Sequence, residues 1–216
     1  MNDQLWQDVL ALQVLAPLSS SYLPWNMAAM RPSGVVTVLN EIIINRRRCI
    51  VELGAGISSI YIGRLLRQRG GHVWTVEHDE QWADAVEQEF ADESLEDVVT
   101  VVRAPLAPTE SAWPDEENAW YESEAIRRTI ADRTIDLLVI DGPPANDVAR
   151  QHARYPAIPF FSPLLADDYT IVLDDVNRPG EQEIMKRWER DLGISFEQHV
   201  LAGGIGIGRS RSSFAV

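Results

Sequence analysis

The chain has 216 residues, 45% of them hydrophobic and 24% charged, which suffices for one α/β domain with a full core and contains no apolar run of membrane-spanning length. Its 33 acidic residues outweigh 19 basic ones to leave a net charge of −14, a poor field for gripping a polyanion, so a nucleic-acid partner is not expected. Cys49 is the only cysteine; it excludes an internal disulfide and a thiolate zinc cluster, and at the head of an apolar strand it is expected in the core.

The first residues, Met1 to Trp6, lack the basic start and cleavage site of a secretory signal, so a cytoplasmic location is expected. Leu5, Trp6, Val9, Leu10 and Leu12 recur at helical spacing and predict a helix over residues 3–15 that stops before Pro17. Its apolar face suits a homodimer contact. An aromatic-rich connector over residues 19–27 carries Tyr22, Trp25 and Met27, and a second helix is predicted over residues 33–45. Arg46, Arg47 and Arg48 then read as a solvated helix end, where cations also suit the dipole.

The strand 49–53 runs into Val51-Glu52-Leu53-Gly54-Ala55-Gly56-Ile57-Ser58-Ser59, and Ile60, Tyr61, Leu65 and Leu66 continue at helical spacing to residue 69. That is strand, tight turn, helix. Glycine at 54 and 56 removes side chains where the backbone turns sharply and approaches a ligand, and the helix start offers free N–H groups. A second strand, 72–76, delivers Glu77, whose carboxylate can accept both hydroxyls of a ribose. A dinucleotide fingerprint would place glycine or alanine at the sixth position, where this chain has Ser59. Glu52, two residues before the first glycine, would repel a pyrophosphate and attract an amino or sulfonium group. The charge pattern therefore favours S-adenosylmethionine over NAD.

Trp82, Ala85, Val86 and Phe90 mark a helix over residues 79–91, followed by a strand at 98–102, the segment 103–108 and an acidic, aromatic insertion at 111–121. In that insertion Trp113 and Trp120 serve either substrate choice or simple anchoring. The strand 135–140 ends in Asp141-Gly142-Pro143-Pro144, and the strand 171–173 ends in Asp174-Asp175. A helix over 180–192 and strands at 195–201 and 205–210, joined near Gly203-Gly204, complete the chain.

Glu52-x-Gly54-x-Gly56-x-Ser58 with Glu77, the Asp141 loop and the Asp174-Asp175 strand end resemble the class I S-adenosylmethionine-dependent methyltransferases, most of all the small bacterial catechol O-methyltransferase-like enzymes. The resemblance implies a Rossmann-like, doubly wound α/β fold with a seven-stranded sheet, parallel except for its terminal strand, plus N-terminal helices. It implies residues 1–32 as a cleft-covering segment, with Tyr22, Trp25 and Met27 as lid or as packing, and residues 33–216 as the methyltransferase domain. S-adenosylmethionine would lie against Glu52, Gly54, Ala55, Gly56, Ser58, Ser59, Glu77, His78 and Asp141, with Leu106 against adenine.

In metal-dependent members an acid and an Asp-Asn pair hold Mg²⁺, which matches Asp141, Asp174 and Asp175 except that Asp175 replaces asparagine. Asp174 or Asp175 could equally cap a helix, and Asp141 or Asp175 could act as a metal-free base, with His152 as another candidate. Amine methyltransferases carry Pro-Pro directly after the acid, whereas Gly142 intervenes here, so an oxygen acceptor on a small or saccharide-containing molecule is expected. The competing readings are an NAD-dependent oxidoreductase and a non-catalytic cofactor-binding or assembly protein.

Overall fold

The computed structural model describes residues 3–23, 25–26, 28–114, 119–199 and 204–211; Met27, residues 115–118 and Gly203 of the features above lie outside them. Two helices, α1 (Asp3–Leu15) and α2 (Pro32–Ile44), precede the alternating run β1 (Cys49–Leu53), α3 (Ile57–Arg69), β2 (His72–Glu77), α4 (Glu80–Asp92) and β3 (Val99–Arg103). A small hairpin of β4 (Leu106–Pro108) and β5 (Ala119–Tyr121) leads to α5 (Ser123–Ile130), β6 (Ile135–Ile140) and the short α6 (Ala157–Phe161). Then come β7 (Leu165–Leu173), α7 (Pro179–Leu192), β8 (Phe196–His199) and β9 (Ile205–Arg209).

Seven strands form one sheet in the order β3-β2-β1-β6-β7-β9-β8, and β4 pairs with β5 alone. β1, β2, β3, β6 and β7 are parallel, while β9, the last strand in sequence, runs antiparallel to β7 and β8 and lies between them. The central strands are apolar on both faces because helices cover both. Along β6 the two-residue period sends Leu137 and Val139 into the core shared with α2 and α3. Leu138 and Ile140 turn to the opposite core with Phe161 and Trp188. Each such fully buried side chain contributes about 1.5–3 kcal/mol. Cys49 is half-buried at the strand head, and burial pushes its thiol up to about 11, so it stays protonated and inert.

Three sequence expectations need correction. The apolar residues of α1 face outward: Leu5, Trp6 and Leu10 are each more than half exposed, whereas Asp8, Ala11 and Leu15 face inward. Asp8 is turned in because its carboxylate accepts the Ser33 hydroxyl at 2.6 Å and the Ser33 N–H at 3.2 Å, holding the first turn of α2, and it also pairs with Arg31. Arg47 is not solvated; it is buried and donates to the Asp168 carbonyl at 2.7 Å and to the Thr170 hydroxyl at 3.0 Å. β7 begins at Leu165, six residues ahead of the predicted start, because its first half carries exposed Asp167 and Asp168 and shows no apolar alternation. The β4–β5 hairpin and α5 were not predicted at all.

Candidate active site

The strand order reverses between β1 and β6, and in open parallel sheets the crevice beyond the strand ends at that point is where ligands bind. A cavity of about 570 Å³ opens there, within the size range of small-ligand sites. Two glycines shape its floor. Gly54 has φ 96°, a conformation L side chains resist, and a Cβ on it would stand 3.3 Å from the Gly142 nitrogen. A Cβ on Gly142 would stand 2.2 Å from the Tyr121 hydroxyl and 3.2 Å from the Gly54 backbone. The loops after β1 and β6 thus touch backbone to backbone. At Gly56, by contrast, nothing lies within 4 Å of the Cβ position, so a ligand can approach this peptide closely.

Of the expected cofactor residues, Gly54, Ala55, Gly56, Ser58, Glu77, His78 and Asp141 line the cavity. Glu77 ends β2, and its Oε1 accepts the His78 and Asp79 N–H groups at 2.7 and 2.8 Å, with His78 Nδ1 at 2.8 Å. Oε2 accepts the Ala55 N–H at a looser 3.2 Å. Burial works against the Glu77 charge, but these hydrogen bonds outweigh it and hold the carboxyl below its usual range; the same contact to Glu77 raises His78. Glu77 is therefore an ionised acceptor at the cavity wall: Oε1 is fully occupied, and Oε2, with one looser contact, is the oxygen with room for a further donor. Trp82 also lines the cavity and donates Nε1–H to the Ala55 carbonyl at 2.7 Å, pinning the turn from α4.

Glu52, Ser59 and Leu106 do not line it. Glu52 is fully buried behind the turn, where its Oε2 accepts the Ser59 hydroxyl and, at 3.0 Å, the Thr75 hydroxyl. Burial raises its pKa, and its carboxylate faces away from the cavity, so it is not placed to partner a sulfonium there. Ser59 spends its hydroxyl on Glu52 and accepts the Gly56 N–H at 3.0 Å. Leu106 packs at the edge of the core from β4, opposite Tyr121 on β5. The hairpin delivers Tyr121 to the cavity instead, with a buried hydroxyl that has no hydrogen-bond partner among the described residues.

The N-terminal connector does supply a wall, through Asn26, Ala28, Ala29 and Met30. Tyr22 is 89% exposed, and Trp25 packs beside Tyr61 while donating to the Met30 carbonyl at 3.2 Å. In the insertion, Trp113 stacks on His152 with ring centroids 4.0 Å apart, and Trp120 is buried against Phe160 and Phe161. His152 does not line the cavity: it is covered by Trp113, and its Nε2 lies 3.0 Å from Glu183.

Asp141, Asp174 and Asp175 converge at the ends of β6 and β7, with one carboxylate oxygen of each within 4.8 Å of the others. Asp141 and Asp175 line the cavity; Asp174 lies behind, accepting the Asp175 N–H at 2.8 Å. Asp175 adopts φ 62°, an uncommon conformation for a side-chain-bearing residue. Burial, and then Asp174 beside it, pushes the Asp141 carboxyl well above its usual range; burial, and then Asp175, pushes Asp174 up to about 6. Between these acids sits the guanidinium of Arg154, a residue not singled out in the sequence. It is 3% exposed and lines the cavity, with Nη2 2.9 Å from Asp175 Oδ2 and 3.3 Å from Asp141 Oδ1. A fixed cation thus already engages two of the three carboxylates, Asp141 and Asp175, and the set is a poor fit for a resident Mg²⁺ ion.

A family model described as a methyltransferase domain matches residues 51–176, from the glycine turn through the Asp174-Asp175 strand end. The chain belongs to this methyltransferase-domain family. No curated protein matches it in sequence. Its fold is similar to that of a Staphylococcus aureus protein assigned as a caffeoyl-CoA O-methyltransferase (14% identity, TM-score 0.66, covering 94% of this chain and 99% of that one). It is also similar to the O-methyltransferase TomG of Streptomyces achromogenes, involved in tomaymycin synthesis and solved with S-adenosylmethionine (17%, 0.57, 94% and 88%). An O-methyltransferase of Bacillus cereus, solved with S-adenosylhomocysteine, is a third (21%, 0.56, 94% and 90%). At these identities the likeness is one of fold.

Proposed function

We propose that the protein is an S-adenosylmethionine-dependent methyltransferase acting on a hydroxyl of a small or saccharide-containing molecule. The observation that carries this reading is Glu77, an ionised acceptor on the wall of a cavity whose floor is the open Gly54–Gly56 turn. Bound S-adenosylmethionine would supply a sulfonium methyl for in-line displacement. Glu77 would accept a ribose hydroxyl through Oε2, the turn would allow close backbone approach, and Tyr121, whose hydroxyl has no hydrogen-bond partner among the described residues, also lines the cavity. Asp141 would take the acceptor's proton, since it lines the cavity at the end of β6 and its carboxyl, raised by burial and then by Asp174, holds a proton more readily than an ordinary carboxylate. The oxygen acceptor draws on Gly142 following the acid and on the O-methyltransferases among the structural neighbours.

Calorimetry with S-adenosylhomocysteine tests the cofactor, and no binding at near-millimolar ligand would sink the proposal. Glu77→Ala should weaken that binding by about 1–3 kcal/mol, roughly 5- to 150-fold, because its ribose contact and the anchor for the Ala55 N–H are lost. An unchanged affinity would remove Glu77 from the site. Thermal shifts with NAD run in parallel separate the oxidoreductase reading, which Ser59, tied to Glu52, does not favour. Binding without methyl transfer across a broad acceptor panel would favour a non-catalytic role. Among the described residues no helix is long and apolar enough to cross a membrane, and with a single unpaired cysteine a reducing, cytoplasmic setting belongs to this reading.

The outward apolar residues of α1, with Leu5, Trp6, Leu10 and Leu12 about half exposed, would serve a homodimer contact. Light scattering should then show a dimer, and Leu10→Glu should return it to monomer. A monomer at high concentration in the unmodified protein counts against the contact.

A further inference from the structure

We propose that the guanidinium of Arg154 is the resident cation of the three-carboxylate centre, and that this protein transfers methyl without a divalent metal. The inference deepens the methyltransferase reading and rests on it for the reaction, but its geometric basis is separate. A hard divalent ion needs carboxylate oxygens converging on an open centre. Here Asp141 and Asp175 converge on a planar fork that is fixed from several sides. Nη2 of Arg154 donates to Asp175 Oδ2 at 2.9 Å and to the Asp141 carbonyl at 2.6 Å. Nη1 donates to the Asp174 carbonyl at 3.1 Å, and Nε reaches the Pro143 carbonyl at 3.4 Å.

The acceptors come from the loops after both β6 and β7, so the guanidinium ties together the two strand ends that carry the acids. It is 3% exposed. A flexible surface arginine would leave the carboxylates to an incoming ion, but a fork held by three backbone carbonyls stays in place and repels one. Arg154 acts as a positioning residue, fixing Asp141 and Asp175 at the cavity and placing a permanent positive charge beside the reacting oxygen. In the transfer, the acceptor's O–H bond breaks and its proton passes to Asp141. With S-adenosylmethionine bound, the O–C bond would form as the S–C bond of the sulfonium breaks, and neutral S-adenosylhomocysteine would leave. No metal-bound oxygen is needed for this balance.

The test is titration of the whole protein with Mn²⁺, followed by the loss of the free-ion electron paramagnetic resonance signal, alongside S-adenosylhomocysteine calorimetry with and without EDTA. The wild type should leave the Mn²⁺ signal undiminished, and its calorimetry should not respond to EDTA. Arg154→Ala should open the seat and bind Mn²⁺, while Arg154→Lys, which keeps a cation there, should not. Stoichiometric Mn²⁺ binding by the wild type overturns the inference, and so does a folded Arg154→Ala protein that still ignores Mn²⁺. Should that variant fail to fold, the wild-type titration and Arg154→Lys decide alone. Absent S-adenosylhomocysteine binding would sink the methyltransferase reading instead, whatever Mn²⁺ does, so the two failures are distinguishable.

Discussion

Arg154→Met is expected to destabilise the protein by about 3–5 kcal/mol, the usual cost of removing one partner from a buried ion pair. In a chain of this size that is a fall in Tm of roughly 6–20 °C. The loss has two sources. Among the described residues, Asp175 keeps only Arg178, at 2.9 Å and on the exposed side, and Asp141 keeps no cation within hydrogen-bond distance. The carbonyls of Asp141, Pro143 and Asp174 lose their donor at the same time, and a buried polar group left unpaired costs about 1–3 kcal/mol. Methionine preserves most of the volume, so the loss reports charge and hydrogen bonding rather than a cavity. If the emptied seat takes Mn²⁺, the ion should restore stability by mass action, about 2.7 kcal/mol at a hundred times its Kd. Urea unfolding in EDTA and in Mn²⁺ measures both quantities. A variant within about 1 kcal/mol of wild type would mean that the guanidinium is not a structural keystone of the two loops.

The sheet was legible because its central strands are apolar on both faces and are punctuated by glycines and acids at their carboxyl ends. Glu77 and Asp141 were legible for the same reason: each is the first acid after an apolar strand, and chain direction alone puts them at one edge. Glu52 could have been placed correctly by the two-residue period. It shares a face with Ile50, which packs under α2 and α3, so its carboxylate had to meet Ser59 and not the crevice. Leu106 was misplaced because nothing local announces a hairpin bridged by an acidic insertion; pairing Leu106 with Tyr121 is a tertiary fact. Arg154 was invisible for a deeper reason. It lies in an irregular stretch between β6 and α6, where an arginine ordinarily solvates a surface, and its role depends on two loops that only the folded sheet brings together. The outward face of α1 inverted expectation because Asp8, the polar residue, is used to hold the start of α2.

Asp174→Asn is expected to stabilise the protein at pH 7.5 by up to about 3 kcal/mol and to leave it nearly unchanged at pH 4. The magnitude follows from a carboxyl moved from its ordinary 3.8 to about 6, at about 1.36 kcal/mol per pH unit. The direction follows from linkage. A carboxyl with a raised folded pKa holds its proton more tightly when folded, so its contribution is fully present below the unfolded value and is lost as pH rises through the folded one. For Asp174 the decline runs between about 4 and 6. Asp141, raised by burial and by Asp174 itself, shares this proton and makes the single-site figure an upper bound. Glu77 runs the other way: its depressed carboxyl stabilises above the ordinary carboxylate range and loses that contribution as pH falls through its folded value. Asparagine keeps the oxygen that accepts the Asp175 N–H at 2.8 Å, so the loop geometry should survive while one buried charge disappears. Urea unfolding of both proteins at the two pH values decides the matter. A variant less stable than wild type at pH 7.5 would show that the ionised Asp174 is compensated in place, and that the fold depends on its charge rather than tolerating it.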